Sequence, residues 1–200
     1  VHMYDTIKIA EGRQLYAMQI AIEAIHAEMY GMFINKLITD VTKRNNLFKS
    51  LDTNPIVKKK GDWAIKWLKK DAPFAERLIA FIIIEGVFFS GSFAAIYWLR
   101  KKKVMPGLTL ANEWIARDET LHCRSGIAIY KLLQNKLSES KIHDIFKEAY
   151  EIEAEFVSDS LPVDLLGMNV GLMQDHIKFT CNHWLGKMGY SIIFPEITKT

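Results

Sequence analysis

Two short Glu-x-x-His motifs are the parts of this sequence best suited to chemistry. The first spans Glu23–His26 and the second spans Glu119–His122. Residues three apart on an α-helix lie about 60° apart around its axis, so the carboxylate and the imidazole of each motif share one helix face. Such a pair can bind one divalent metal ion, whose charge stabilises the ionised carboxylate. The sequence therefore predicts metal-binding residues on two separate helices.

A third carboxylate, Glu85, lies in an apolar stretch between Ile82-Ile83-Ile84 and Val87-Phe88-Phe89. Burying an unpaired carboxylate there would be costly. Known di-metal helical bundles use one Glu from each of two helices and a Glu-x-x-His from each of two others. This chain supplies both motifs and one single carboxylate, which favours a di-metal centre. The alternative is that Glu85 pairs with an arginine and that backbone groups satisfy the histidines.

Tyr30 follows His26 by four residues, which is about 40° around a helix. Its phenol is therefore expected to face the same side as the first motif. Beside a metal pair that activates oxygen, a phenol can donate one electron, and Phe89, Phe93 and Ile115 would keep its surroundings apolar. An ordinary core tyrosine is the alternative interpretation.

Long helical patterns, separated mostly by prolines, are expected to position these residues. No stretch alternates with a period of two for long enough to indicate a strand. The predicted architecture is an all-α bundle of long helices over residues 1–200, as a single domain. A Gly/Ser interruption at 90–92 predicts a kink. The predicted helices cover 9–39, 46–51, 55–70, 73–102, 109–135, 138–158 and 162–189.

Composition excludes several other classes of function. The formal net charge of +3 is too small to indicate nucleic-acid binding. The apolar segment Leu78–Leu99 could span a bilayer by length, but Glu85 near its middle favours a buried bundle helix, so no membrane is expected. The two cysteines, Cys123 and Cys181, are interpreted as reduced thiols in a cytoplasmic protein. Cys123 and its neighbour His122 would point about 100° apart on a helix, which disfavours a Cys/His nucleophile.

Longer motifs around these residues resemble the small subunit of class I ribonucleotide reductase in its eukaryotic and viral form. They occur in the order of that family and cover nearly the whole chain. The motifs are EAIHAEMY at 23–30, EGVFFSGSF at 85–93, MPGLT at 105–109, RDETLHC at 117–123 and LPVDLLGMN at 161–169.

The resemblance implies a ferritin-like fold, a homodimer and a di-iron centre, two iron ions per chain, that reacts with dioxygen; manganese is an alternative metal. It implies that Tyr30 becomes a stable tyrosyl radical and that Asp118 hydrogen-bonds His26 on the radical-transfer route. The radical would pass to a separate large subunit, which reduces ribonucleotides to deoxyribonucleotides. The implied metal ligands are Glu23, His26, Glu85, Glu119 and His122.

The chain also departs from the family pattern. The family's sixth ligand, an Asp, and a transfer-route Trp would fall before Val1, and the C-terminal tail that docks on the large subunit would follow the last residue. The metal site is therefore expected to be incomplete. The alternatives are another di-iron oxidase or monooxygenase, an iron store, and a partner subunit without radical chemistry. A radical on Tyr30 would distinguish the reductase from these.

Overall fold

The structure is a computed structural model that describes residues 2–161 and 165–197. Over these residues the chain forms ten α-helices, with one isolated β-bridge between Leu165 and Met168. The chain divides into two compact units, Val1–Gly61 and Asp62–Thr200. The prediction of a single domain over the whole length therefore stays a prediction.

The first unit is built around one long helix. It contains α1 (His2–Thr6), α2 (Ala10–Leu37), α3 (Val41–Phe48), α4 (Ser50–Thr53) and the beginning of α5 (Pro55–Trp67). Asp40 accepts a hydrogen bond from the Lys43 backbone N–H at 2.9 Å, which caps α3 as short acidic side chains commonly do. The predicted helix 9–39 is confirmed as α2, whereas the predicted helix 46–51 is wrong because α3 and α4 meet at Lys49.

The second unit contains the rest of α5 and five longer elements. They are α6 (Phe74–Gly86), α7 (Ser90–Lys101), α8 (Pro106–Leu132), α9 (Glu139–Ser160) and α10 (Val170–Met188). Helix α6 packs against α8 and α9, while α10 packs against α7, α8 and α9. Apolar side chains of α6 and α9 form the centre of this unit and are fully buried, among them Leu78, Ile82, Ile142 and Phe146.

Side-chain caps explain why several of these helices begin where they do. Ser138 accepts a hydrogen bond from the Lys141 backbone N–H at 3.3 Å, so the start predicted for α9 is confirmed. The start predicted for the last helix is wrong. Leu165 and Met168 exchange backbone hydrogen bonds, and Asn169 caps α10 by accepting from the Leu172 N–H at 2.9 Å. Residues 162–164 of the predicted helix lie outside the described residues.

A break separates α6 from α7 at residues 87–89, just before the predicted Gly/Ser kink at 90–92. The backbone N–H groups of Val87 and Phe88 both donate to the carbonyl of Ile83, which ends the regular pattern. Ser90 then starts α7, and its hydroxyl donates to the Val87 carbonyl at 2.7 Å. The indole N–H of Trp184 donates to the Gly86 carbonyl at 3.1 Å. Side chains thus satisfy carbonyls that the break releases from the helix.

The most apolar part of the chain coincides with this broken helix. Among the described residues, one stretch, Phe74–Lys101, is long and apolar enough to cross a membrane by length and composition alone, and half of its most apolar window is buried inside the protein. A core helix passes the same test. The partial burial agrees with the expected position in a helical bundle.

Gly86 is predicted to be essential for the packing of α6 against α8 and α10. A Cβ atom there would lie 2.5 Å from the Trp184 indole nitrogen and 2.9 Å from the Cys123 sulfur, and both side chains are buried. We expect Gly86→Ala to lower the free energy of unfolding by about 1–3 kcal/mol, the usual cost of overpacking a core. Chemical denaturation followed by circular dichroism measures this change.

Gly186→Ala is the matched control, because a Cβ on this glycine of α10 would meet nothing within 4 Å. Alanine is the better helix former by about 1 kcal/mol, so the control should be as stable as the parent or more so. Equal stability of the two variants would contradict the packing role assigned to Gly86.

Candidate metal centre

Three of the predicted ligands come together in the second unit. Glu85 lies on the last turn of α6, and Glu119 and His122 lie on α8, which packs against it. His122 Nδ1 is 2.8 Å from Glu119 Oε2 and 3.9 Å from Glu85 Oε2. One donor atom from each of the three residues lies within 4.8 Å of the others. The side chains are at most 9% exposed, so this is a buried acidic cluster around one imidazole.

The first Glu-x-x-His motif also forms as predicted, within α2 of the first unit. His26 Nδ1 lies 3.5 Å from Glu23 Oε2. The imidazole is buried, whereas the Glu23 side chain is 39% exposed. Tyr30 follows one turn later on the same helix and is half-buried. The helical spacing thus places a carboxylate and an imidazole side by side here as well.

The donor set of both motifs suits a divalent ion of the first transition series. Carboxylate oxygens and neutral imidazole nitrogens bind iron, manganese and zinc, and the metal charge favours the ionised carboxylates. In the second unit, Glu85 and Glu119 would place two carboxylates in a buried environment, which is costly without a compensating cation. The His122 nitrogen that approaches both carboxylates is an atom that can bind a metal ion. These observations fit the predicted ligand roles.

Not every residue expected near the ligands is buried. Ile20 and Ile25, which flank the first motif, are 43% and 58% exposed, and Leu121 beside the second motif is 57% exposed. Ile25 and Leu121 each directly precede a ligand histidine, so their side chains point about 100° away from it, toward an exposed side of the helix. Of the apolar residues predicted around Tyr30, Ile115 is buried, while Phe89 is 38% exposed.

Asp118 lies next to Glu119 on α8 and is half-buried. Adjacent residues point about 100° apart on a helix, so the Asp118 carboxylate does not share the direction of Glu119. Its assignment as the hydrogen-bond partner of His26 stays a prediction.

Cys123 follows His122 and is completely buried. Its thiol donates a weak hydrogen bond to the Ile82 carbonyl at 3.6 Å. Burial, aided by the negative charges of Glu85 and Glu119, raises the pKa of the Cys123 thiol. A thiol that stays protonated is a poor nucleophile, which agrees with the sequence-based argument against a Cys/His pair.

A cavity of about 270 Å³ opens beside Glu85 and Glu119, between α7, α8 and α10. Apolar side chains such as Phe93 and Trp184 form much of its wall. Two exposed histidines of α10, His176 and His183, also line it. Neither histidine belongs to a recognised motif, but they are seven residues apart, about two helical turns, so they share one face of the helix with Thr180 between them.

A known protein family matches the whole length of this chain. The sequence pattern of the family described as "Ribonucleotide reductase, small chain" matches residues 1–200, the whole chain. The chain belongs to the ribonucleotide reductase small-chain family. Its curated relatives include the ribonucleoside-diphosphate reductase small chain of Nicotiana tabacum, which is 47% identical over 188 residues covering 94% of this chain and 57% of the relative.

Solved structures of ribonucleotide reductase small chains have the same fold. The Rnr4 homodimer of Saccharomyces cerevisiae matches with a TM-score of 0.87 and 34% identity, covering 96% of this chain and 61% of that one. The R2 subunit of Clostridium botulinum matches with a TM-score of 0.88 and 22% identity, covering 98% of this chain and 66% of that one; at this identity the match concerns the fold alone. The predicted all-α, ferritin-like fold is thereby confirmed.

This ribonucleotide reductase small chain spans about half the length of the curated relatives it matches, between 46% and 57%. The family assignment covers every residue of this chain. The activity of the full-length relatives is a proposal for this chain, and it rests on the carboxylate and histidine cluster on α6 and α8.

Proposed function

We propose that this chain is the radical-generating small subunit of a ribonucleoside-diphosphate reductase. The buried cluster of Glu85, Glu119 and His122, with donor atoms within 4.8 Å of one another, is the observation that carries the proposal. A helical protein that needed only stability would gain little from two carboxylates buried beside an imidazole. Membership of the small-chain family supports the same function.

In this proposal, Glu23 and His26 of α2 bind metal together with the cluster of α6 and α8. The ions are two irons per chain, with manganese as the alternative, since oxygen and imidazole donors suit both metals. When bound, the metal pair supplies the oxidising power, drawn from dioxygen, that removes one electron from Tyr30. Any ligand that the family supplies from further upstream would complete this set.

The protein side chains have distinct tasks around that chemistry. The same ring nitrogen of His122 faces Glu119 at 2.8 Å and Glu85 at 3.9 Å, so these three side chains would hold a metal ion together when it is bound. The half-buried position of Tyr30 on α2 limits the contact of its phenol with water. Asp118 would hold a ligand histidine by a hydrogen bond and continue the radical route toward the surface.

The partners follow from the same proposal. A separate large subunit would bind the ribonucleotide and receive the radical. A second copy of this chain would complete a homodimer, as the yeast relative is named a homodimer. Buried free cysteines, Cys123 and Cys181, support the cytoplasm as the compartment.

Anaerobic loading with ferrous ions, followed by exposure to air, tests the proposed function. In a protein that also carries the family's upstream Asp ligand, we expect about two irons per chain, the stoichiometry of di-iron carboxylate bundles, and the electron paramagnetic resonance signal of a tyrosyl radical. Metal at that stoichiometry without a radical would favour a different di-iron oxidase. A protein that binds no metal would refute the proposal.

A further inference from the structure

The cavity beside the metal centre connects exposed and buried groups within the second unit. Glu85 and Glu119 are buried at one part of its wall, while His176 on α10 is exposed to solvent. A volume of about 270 Å³ accommodates a hydrated metal ion with room to exchange its water. The proposed function uses the two carboxylates but gives no role to the histidine.

His176 lies where its ring can meet an ion that enters the cavity. The residue is exposed to solvent, lines the cavity, and lies near the backbone of Ser90 at the start of α7. Surrounding protein atoms lower the pKa of His176, so the ring is mostly neutral at pH 7, and a neutral imidazole keeps a nitrogen lone pair that can bind a metal ion.

His183 lies two turns further along α10 and lines the same cavity, but its electrostatic environment differs. Besides burial, the positive charges of Lys187 and Arg124 lower its pKa. These charges also repel a metal cation. His183 therefore places a second imidazole in the cavity, at a position where the nearby positive charges disfavour cation binding. It serves as the comparison for His176.

We propose that His176 is a transient ligand that receives divalent metal ions at the cavity mouth and passes them to Glu85 and Glu119. The inference rests on the proposed function, since it assigns the route by which that metal centre is filled. An aqueous ion loses its water stepwise, and a neutral imidazole at the mouth replaces one water before the carboxylates replace others. The expected role is in the rate of metal binding and not in the final affinity.

The test follows metal uptake directly and needs no enzymatic turnover. Metal-free protein is mixed with cobalt(II) without oxygen, the visible absorption of bound cobalt gives the rate, and elemental analysis gives the final stoichiometry. We expect His176→Ala to slow uptake about tenfold, the lower end of the effects seen for groups that support metal sites from outside the ligand set. The final cobalt content should equal that of the parent protein.

Three further variants separate the proposed role from simpler ones. Thr180 lines the same cavity. Because Thr180→Val changes no imidazole, the rate of cobalt uptake should be unchanged. His183→Ala should leave uptake unchanged or accelerate it, because it removes no ligand that a cation would use. Ala94→Leu adds bulk to the wall of the cavity and should slow uptake without lowering the final content.

Two results would overturn the inference. One is a rate of cobalt uptake in His176→Ala equal to that of the parent protein, with full final cobalt content. The other is a lowered final content, which would make His176 a permanent ligand or a structural residue. In either case normal cobalt binding by the parent protein would leave the proposed function standing, whereas a parent that binds no cobalt would refute both.

Discussion

Glu85→Ala is expected to reduce the metal affinity of the protein by at least about 100-fold, since loss of a direct ligand should exceed the 10–100-fold effects of supporting groups. Glu85 contributes one of two carboxylates in the buried cluster, 3.9 Å from the His122 ring nitrogen. Without it, Glu119 and His122 would have to hold the ion with fewer donors and less negative charge. The iron content per chain, measured by elemental analysis after ferrous loading and desalting, gives the result.

Two further variants make this experiment decisive. Glu85→Gln preserves the volume of the side chain but removes its charge, so it should lose metal even if the alanine variant folds poorly. Glu151→Ala removes an exposed glutamate of α9 and should retain the full metal content. Full metal content in both Glu85 variants would show that the cluster on α6 and α8 is not a metal site.

Tyr30→Phe is expected to abolish the tyrosyl radical completely while leaving the metal content unchanged. Phenylalanine keeps the aromatic ring on α2 but lacks the hydroxyl group from which the electron and proton are lost. Electron paramagnetic resonance after loading and exposure to air measures the radical, and iron is counted on the same sample. Expression of the parent protein in cells supplied with ring-deuterated tyrosine should narrow the signal, which would assign the radical to a tyrosine.

Tyr150→Phe is the matched control, because Tyr150 is also half-buried and lies on a helix of the second unit, packed against Phe194. This variant should keep the full radical signal. A radical that survives in Tyr30→Phe and disappears in Tyr150→Phe would reverse the assignment. Loss of metal in Tyr30→Phe would indicate a structural role for the phenol.

Local signals in the sequence were sufficient for the parts of the structure that depend on one helix at a time. The length of α2 follows from its uninterrupted helical pattern, and the start of α9 follows from the capping chemistry of Ser138. The pairing of Glu119 with His122 likewise needs only the three-residue spacing on α8. These features were predicted because nearby residues alone decide them.

Other features depend on packing between helices and could not be predicted in detail. The break before α7 lies at residues 87–89 because Trp184 and Ser90 satisfy the carbonyls there, and Trp184 is 98 positions from Gly86 in sequence. The start of α10 was misplaced because the turn around Gly167, which has φ +80°, precedes it. The role inferred for His176 depends on α7 and α10 lying side by side, which no motif indicates.

The hydrogen bond from Trp184 to Gly86 also gives this protein an intrinsic optical reporter. The indole of Trp184 is buried and lines the cavity. Its N–H donates a hydrogen bond to the carbonyl of Gly86, the residue that directly follows Glu85. Paramagnetic ions quench indole fluorescence at short range, so the emission of Trp184 should fall as the cluster fills. With the other four tryptophans replaced by phenylalanine, the occupancy of the centre could be followed in real time without any added dye.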